Sequence, residues 1–251
     1  MKQRLDQAMA QMALVTSRSQ AESYIKLGQV TVDGQPVTKP GYMVGDDQQI
    51  KLLASEQYVS RAALKLASVA NTLGVTFKDK TVLDVGSSTG GFTQYALRQG
   101  ASLVVAVEVG KDQLHHSLRS DPRIMLYEQT DIRDMTPSGT KPQQGWHTMP
   151  ALPELVVADV SFISLREILP HVALLSGEQT DIVAMVKPQF EASQSSLKHK
   201  GVIKNDRMRR DILADFEQWA KKYFVVIDKA DSDIAGAKGN LERFYLLRKK
   251  R

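Results

Sequence analysis

The apolar positions from residue 81 onward alternate between short strands and amphipathic helices. Strands are predicted at Thr81–Val85, Leu103–Glu108, Ile124–Glu128, Leu155–Asp159, Asp181–Val186, Phe224–Ile227 and Phe244–Leu247. Helices are predicted from the glycine-rich turn after Val85 to Gln99, from about Asp112, from about Leu165 and over Arg207–Lys222. Apolar strands that alternate with helices favour a mostly parallel sheet covered on both faces. The sequence therefore predicts an α/β, Rossmann-like fold with a seven-stranded, mostly parallel sheet.

The first 54 residues have a different pattern. A helix is predicted over Arg4–Met12, and a second over Arg18–Leu27 with Ser17 as its N-cap. The strand Val30–Val32 then leads into an Asp33-Gly34 hairpin turn, and a last strand follows at Gln48–Leu53. We predict a small α+β domain at residues 1–54, a linker at residues 55–59, and a large domain at residues 60–251. The large domain opens with a helix from Arg61 to about Leu73.

Composition and charge narrow the function classes. The 251 residues include no cysteine, which excludes disulfides, thiolate metal sites and cysteine nucleophiles. The five histidines form no His-Glu-x-x-His pattern, so we predict no metal. No apolar run approaches the roughly 18 residues of a membrane span, and the N-terminus lacks an apolar signal core, so we expect a cytoplasmic protein. The segment 198–251 holds 15 basic and 8 acidic residues, which suits either a polyanionic partner or a solvated surface.

Glycines and carboxylates mark the ends of the predicted strands. Asp84 lies on the first strand, the loop Gly86-Ser87-Ser88-Thr89-Gly90-Gly91-Phe92 follows it, and Glu108 ends the second strand. Open α/β sheets bind nucleotide-like ligands at this edge. The loop is neither Gly-x-Gly-x-x-Gly nor a P-loop, so S-adenosylmethionine fits better than NAD. Asp84 is expected to face the amino-acid ammonium and Glu108 the ribose hydroxyls. Asp131 is either an adenine contact or a turn residue.

The fourth and fifth strands end in groups suited to proton transfer. Asp159 ends the fourth strand and Lys187 follows the fifth. A lysine beside a buried strand is either a solvent-facing residue or a base, because burial and nearby cations lower a lysine pKa. The Asn/Asp-Pro-Pro-Tyr/Phe motif of adenine amino-methyltransferases is absent, and a cytosine C5 methyltransferase would need a cysteine. Methylation of a ribose 2′-hydroxyl needs only a positioned oxygen and help with its proton.

Several motifs together resemble one family. They are Tyr58-Val59-Ser60-Arg61, Leu64-Lys65-Leu66, Ser87–Thr93, Asp159–Leu165, Lys187-Pro188-Gln189-Phe190-Glu191 and Gly239-Asn240-Leu241-Glu242. In this order they are similar to the TlyA, or haemolysin-A-like, ribosomal RNA methyltransferases, which pair an alpha-L RNA-binding motif with an FtsJ-like domain. The resemblance implies 2′-O-methylation of cytidine in ribosomal RNA with S-adenosylmethionine. It also implies a tetrad of Lys65, Asp159, Lys187 and Glu242, with Lys187 as the base.

The resemblance also implies binding partners, and two alternative functions stay open beside it. It implies binding to ribosomal RNA or a ribosomal subunit. No segment reads as a membrane span or a strong interfacial helix, so we expect no membrane partner, and we expect a monomer. The basic residues expected to meet RNA phosphates are Arg4, Arg18, Lys26, Lys39 and Arg61. One alternative is an RNA-binding protein that has lost catalysis on this fold, and another is a membrane-lytic haemolysin. The chain departs from the family at the linker, where Glu56-Gln57-Tyr58 replace a common Arg and Trp, and in a long loop between Thr136 and Pro153.

Overall fold

The computed structural model describes residues 2–15, 17–54, 58–192, 202–203, 205–236 and 239–250. The helices are α1 Leu5–Gln11, α2 Arg18–Lys26, α3 Arg61–Ala70, α4 Gly91–Arg98, α5 Leu165–Leu175, α6 Pro188–Glu191 and α7 Asp206–Tyr223, with a 3₁₀ turn at Ile132–Asp134. The strands are β1 Gln3–Arg4, β2 Val30–Val32, β3 Gln35–Pro36, β4 Met43–Val44, β5 Ile50–Leu52, β6 Thr81–Val85, β7 Leu103–Val107, β8 Ile124–Tyr127, β9 Met135–Thr136, β10 His147–Thr148, β11 Leu155–Ala158, β12 Asp181–Val186, β13 Phe224–Asp231 and β14 Arg243–Lys249.

The N-terminal domain packs two helices against short strands. Ser17 accepts a hydrogen bond from the Gln20 amide and caps α2, as predicted. Strands β3, β2 and β5 form one sheet, while β1 pairs with β4. Leu5, Met9 and Ile25 are fully buried in the apolar core of this domain. The predicted helix-helix-strand order is therefore confirmed.

The large domain is built on one sheet with the order β13-β14-β12-β11-β6-β7-β8. Within it β14 runs antiparallel to both neighbours, and the remaining pairs are parallel. Apolar clusters cover both faces, so the predicted α/β class is confirmed. From β6 the chain builds outward through β7 and β8, and it then crosses to β11 and β12 on the other side. This reversal opens a crevice at the carboxyl ends of β6 and β11.

The helix predicted from Asp112 is wrong. Residues 111–115 are bends and irregular backbone, residues 116–120 form turns, and Asp112 has a left-handed backbone with φ of 54°. The amides of Gln113 and Leu114 donate to the Glu128 carboxylate instead of starting a helix. A long-range carboxylate therefore satisfies the backbone groups that a helical pattern would have paired locally.

Several boundaries differ from the predicted ones. Helix α3 ends at Ala70, although Leu73 remains buried in the following turn. Ser60 occupies the N-cap position of α3, but its hydroxyl makes no capping hydrogen bond. The long loop contains the short parallel pair β9 and β10. Part of the predicted linker, residues 55–57, lies outside the described residues, and the domain boundary stays a prediction. No helix within the described ranges has the length and apolarity to span a bilayer.

Candidate active site

A cavity of about 720 Å³ opens at the carboxyl edge of the sheet, beside β6, β11 and β12. It lies between the glycine-rich turn, the start of α3 and the segment that leads into β14. Its described lining residues are Ser60, Arg61, Ala62, Lys65, Gly86, Ser87, Ser88, Thr89, Gly91, Phe92, Asp159, Ser161, Phe162, Lys187, Gln189, Phe190, Gly236, Asn240 and Glu242. The crevice predicted from the strand order is thus a substantial, partly apolar cavity of a size suited to a small ligand.

Two glycines allow the wall of this cavity to pack closely against neighbouring residues. A Cβ at Gly86, whose φ is +79°, would come within 2.7 Å of the Asp159 carbonyl oxygen. A Cβ at Gly91 would lie 2.3 Å from Ser60 Oγ and 3.0 Å from the Ala63 amide. Glycine is therefore needed to pack the turn against the neighbouring backbone while leaving the cavity open. Ser87 Oγ is buried at the cavity without a hydrogen-bond partner, as expected of a polar atom that serves a ligand.

A second cavity of about 470 Å³ adjoins the first and shares Gly86, Ser88 and Asp159 with it. Glu108 lines this cavity and accepts hydrogen bonds from the Ser88 amide at 2.8 Å and the Gly110 amide at 2.7 Å. Its carboxylate thereby ties the glycine-rich turn to the end of β7. The closely packed glycine wall, the unpartnered Ser87 hydroxyl and the acidic strand end fit an adenosyl ligand with an amino-acid moiety.

Asp131 also lines the second cavity. Its carboxylate accepts from the Arg133 amide and pairs with the Arg133 guanidinium at 2.7 Å. It therefore caps a short turn, and its contact with adenine stays a prediction. The Arg133 hydrogen bonds hold the pKa of Asp131 below its usual range, although burial opposes this effect.

Asp84 and Gly90 line neither cavity. Asp84 is fully buried and accepts a hydrogen bond from Thr93 Oγ1 at 2.6 Å, while its other carboxyl oxygen has no partner. Burial raises the pKa of Asp84 to about 7. Gly90 is the left-handed N-cap of α4, and a Cβ there would collide with the Leu114 and Leu118 side chains. The two residues therefore support the glycine-rich turn without lining the cavities.

Two lysine–carboxylate pairs converge on the larger cavity. Lys65 Nζ lies 3.0 Å from Glu242 Oε2, and these two residues are only 8% and 2% exposed. Lys187 Nζ lies 2.5 Å from Asp159 Oδ1 and donates to Ser161 Oγ at 2.7 Å. Burial raises the pKa of Glu242, whereas the Lys65 and Lys187 ammonium groups lower it and Asp159 raises it further. The four side chains therefore share one electrostatic environment although α3, β11, β12 and β14 carry or flank them.

Aromatic residues at the cavity mouth were not assigned from the sequence. Phe162 is 91% exposed and borders both cavities. Its ring centroid lies 5.4 Å from that of Phe190. Both residues belong to motifs quoted above, but a sequence does not reveal that an aromatic side chain is exposed. Asn240, the second residue of the Gly239-Asn240-Leu241-Glu242 motif, is buried at the cavity, and the sequence analysis gives it no role.

The predicted RNA contacts fall into two groups. Arg4 and Arg18 both pair with the buried Asp6 at 2.8 Å, which pre-orients their guanidinium groups. Lys26 and Lys39 are exposed, while Arg61 donates to Ser19 Oγ at 2.6 Å. Arg61 borders the main cavity, and it also lines a small pocket together with Lys26 of the N-terminal domain.

A glycine-rich turn after the first strand of such a sheet, beside an acidic second strand end, defines an S-adenosylmethionine-dependent methyltransferase, and the chain is an enzyme of this class. The FtsJ-like methyltransferase family profile matches residues 58–250, and the S4 domain profile matches residues 3–50. The chain belongs to the FtsJ-like methyltransferase family and carries an N-terminal S4 domain, which confirms the predicted resemblance.

Named relatives agree with this assignment. The 16S/23S rRNA (cytidine-2'-O)-methyltransferase TlyA of Mycobacterium tuberculosis is 36% identical over 248 residues, which is 98% of this chain and 89% of that protein. The 23S rRNA (cytidine-2'-O)-methyltransferase TlyA of Campylobacter jejuni is 38% identical, covering 84% of this chain and 78% of that protein. A solved structure of a hemolysin-like protein from Streptococcus thermophilus superposes with a TM-score of 0.69 at 34% identity, covering 99% of this chain and 89% of that one.

Proposed function

We propose that the protein methylates the ribose 2′-hydroxyl of a cytidine in ribosomal RNA. The observation that carries this proposal is the convergence of Lys65, Asp159, Lys187 and Glu242 on one cavity beside the glycine-rich turn. Two relatives of high coverage are named for this reaction on ribosomal RNA, and the S4 domain adds basic residues beside the site. An RNA-binding protein that had lost catalysis would not need to retain two lysine–carboxylate pairs at one cavity.

The four side chains divide into a proton-accepting pair and a holding pair. S-adenosylmethionine, when bound along residues 86–92, supplies an electrophilic methyl group. Lys187 accepts the proton of the 2′-hydroxyl, and Asp159 and Ser161 fix the lysine side chain in place. Lys65 and Glu242 hold the ribose so that its oxygen points along the line of transfer. The cavity needs no metal for this reaction, because the displacement requires only positioning and removal of one proton.

The cavity mouth suits a nucleotide that has left its helix. An exposed aromatic ring offers a π-face on which a splayed-out base can stack, and such stacking tolerates any base. Phe162 holds this position between the two cavities, and Phe190 supports it from below. We infer that the target base stacks on Phe162 while its ribose reaches the two lysine–carboxylate pairs.

The proposal is tested by mass mapping of ribose methylation in ribosomal RNA from cells with and without the gene. Loss of methylation at a cytidine, restored by the wild-type gene and not by Lys187→Ala, is the expected result. Purified Lys187→Ala is expected to lose at least about 100-fold in kcat and to bind S-adenosylmethionine as the wild type does. The matched control is Lys222→Ala, which removes an exposed lysine from α7 and leaves kcat unchanged. An unchanged methylation pattern in the deletion strain would refute the proposed substrate.

A further inference from the structure

The apolar core of the S4 domain is completed by two residues of the methyltransferase domain. Leu64 from α3 and Ile234 from the segment between β13 and β14 are both about 2% exposed and pack in the cluster that contains Leu5, Met9 and Ile25. Side chains from the two domains thus form one continuous core, and we call this contact between the domains the joint. The S4 domain is therefore seated in the methyltransferase domain by burial of apolar side chains, which is the dominant stabilising term in packing.

Leu64 is adjacent to a member of the Lys65–Glu242 pair in sequence, and Ile234 lies in a segment that is hydrogen-bonded to the backbone of the other member. Leu64 precedes Lys65 on α3, so movement of the Leu64 backbone moves the lysine. Ile234 lies in a segment closed by two hydrogen bonds, from the Ser232 amide to the Glu242 carbonyl at 3.0 Å and from the Gly236 amide to the Asn240 carbonyl at 2.8 Å. Gly236 also packs against the carboxylate, because a Cβ there would lie 2.3 Å from Glu242 Oε1.

Polar contacts reinforce the joint at the start of α3. Arg61 donates to Ser19 Oγ at 2.6 Å, and Tyr24 Oη accepts from the Tyr58 amide at 3.1 Å. The Gln20 side chain donates to the Tyr58 carbonyl at 3.3 Å. The residues that lead into α3 are therefore held by α2 of the S4 domain, one helical turn before Lys65.

We propose that the S4 domain is a positioning part of the reaction site, in which Leu64 and Ile234 hold Lys65 and Glu242 at ion-pair distance. The inference rests on the proposed function, because it assigns the holding role to that pair. Lys187 and Asp159 stand on the ends of β12 and β11 and are held by the sheet. The holding pair, by contrast, depends on the domain that contacts RNA. Leu64 and Ile234 act through their neighbours and are positioning residues.

Purified full-length variants test the joint. Leu64→Ala and Ile234→Ala are expected to lower kcat for ribosomal RNA by at least about tenfold, because a misplacement of about 1 Å can cost on the order of 100-fold. KM for RNA and the Kd for S-adenosylmethionine are expected to stay within about threefold, since phosphate contacts and the glycine-rich turn are untouched. The conservative variants Leu64→Met and Ile234→Val, which keep most of the packing, are expected to retain kcat within about threefold.

Two control variants separate positioning from general loss of stability. Val44→Ala truncates the same S4 core from β4, and Val69→Ala truncates α3 on the side of the methyltransferase core. Both are expected to lower the unfolding temperature and to leave kcat within about threefold of the wild type. Equal losses of kcat in these controls, or an unchanged kcat in Leu64→Ala and Ile234→Ala, would overturn the inference.

Hydrogen exchange provides a readout that does not need catalysis. Leu64→Ala and Ile234→Ala are each expected to speed amide exchange in both described segments of the joint, 61–66 and 239–243, while Val44→Ala does not. Exchange that changes only in the segment carrying the substitution would contradict a shared joint. A wild-type protein that leaves ribosomal RNA unmethylated would refute the proposed function, whereas the exchange experiment would still decide whether the S4 domain holds the pair.

Discussion

The backbone conformation of Phe162 is strained, which is unusual for a large apolar residue. Its φ is +66°, in the left-handed region that residues other than glycine seldom adopt, and such strain costs roughly 1–3 kcal/mol. The side chain gains little from burial, because 91% of it is exposed. Neither packing nor conformational preference explains a phenylalanine here. A ligand that covers the ring does explain it, and the neighbouring cavities indicate where that ligand lies.

Phe162→Ala is therefore expected to weaken RNA binding without harming the fold. Loss of one stacked base costs roughly 1–3 kcal/mol, or about 5- to 150-fold in affinity. The unfolding temperature is expected to stay the same or rise slightly, and Phe162→Tyr should retain binding because it keeps the π-face. Filter binding or calorimetry with a ribosomal RNA fragment measures the affinity. The matched control is Leu174→Ala, an exposed apolar residue on α5 that lines neither cavity. Equal affinities for Phe162→Ala and the wild type would contradict base stacking.

Asp84 predicts a pH-dependent stability that involves no catalysis. Burial raises its pKa from 3.8 to about 7, so the folded protein retains a proton that the unfolded chain releases above about pH 4. Stability from this group is full below about pH 4 and is lost as pH rises toward 7. Asp84→Asn keeps an acceptor for Thr93 and removes the titration.

The stability gained by Asp84→Asn is therefore expected to grow with pH. Between pH 5 and pH 7 the difference from the wild type should increase by roughly 2–3 kcal/mol, at about 1.4 kcal/mol per pH unit. Urea unfolding of both proteins at several pH values gives the free energies. Asp121→Asn is the comparison, because Arg123 lowers the pKa of Asp121, so that this carboxyl is ionised in both the folded and the unfolded state over this pH range and its effect on stability should not vary with pH. A difference for Asp84→Asn that does not vary with pH would show that the carboxyl group is not held protonated.

Glu191 links the two strand-to-helix connections that carry Asp159 and Lys187. It lies at the end of α6, which begins directly after Lys187. Its carboxylate accepts from the Leu165 amide at 2.8 Å and from Ser164 Oγ at 2.6 Å, at the start of α5. One buried side chain thus caps α5 and joins it to α6.

Glu191→Ala is expected to lower both stability and kcat. Leaving the α5 amide and the Ser164 hydroxyl unpaired costs roughly 1–3 kcal/mol, and loosening of the two connections is expected to lower kcat by about tenfold. Glu191→Gln keeps an acceptor and should lose less of both. Asn205→Ala removes the cap of α7, which carries none of the four site residues, so it should cost about 1 kcal/mol with kcat unchanged. Thermal unfolding and steady-state kinetics on the three variants decide between these outcomes.

At this scale the sequence predicts elements well and connections poorly. The strands of the large sheet are found because β-branched and aliphatic runs bury both faces of a parallel sheet, and their carboxyl ends locate the cavity. The helix at Asp112 fails because Glu128, sixteen residues later, captures its amides. Helix α6 is not predicted either, and the Glu191 contacts with the start of α5 are missed for a related reason, since a cap from a residue 26 positions away leaves no local signal.

Ion pairs across the whole molecule affect which basic side chains we expect to contact RNA phosphates. Three arginines of the basic C-terminal segment are already engaged in ion pairs, because Arg248 pairs with Asp181 and both Arg209 and Arg243 pair with Asp231. Residues 1–54 hold six basic and five acidic side chains; Lys26 and Lys39 are exposed there, and the Asp6 carboxylate orients Arg4 and Arg18. Cations near the mouth of the site, rather than the C-terminal surplus, are therefore the ones that we expect to replace counterions on RNA.

The salt dependence of RNA binding tests this distribution. Contacts from Arg4, Arg18, Lys26, Lys39 and Arg61 to phosphates would give a slope of log affinity against log salt of about −4. Lys26→Ala and Lys39→Ala are each expected to reduce that slope by about 1 in magnitude and to weaken binding to all RNA sequences alike. Arg248→Ala changes the net charge by the same amount, but its guanidinium is already paired, so the slope should stay unchanged. If Arg248→Ala altered the slope as much as Lys26→Ala did, RNA would be responding to the total charge of the protein. If only Lys26→Ala and Lys39→Ala reduce the slope, the RNA phosphates contact the S4 domain, and we then expect the RNA backbone to run along this domain to Arg61 and the cavity.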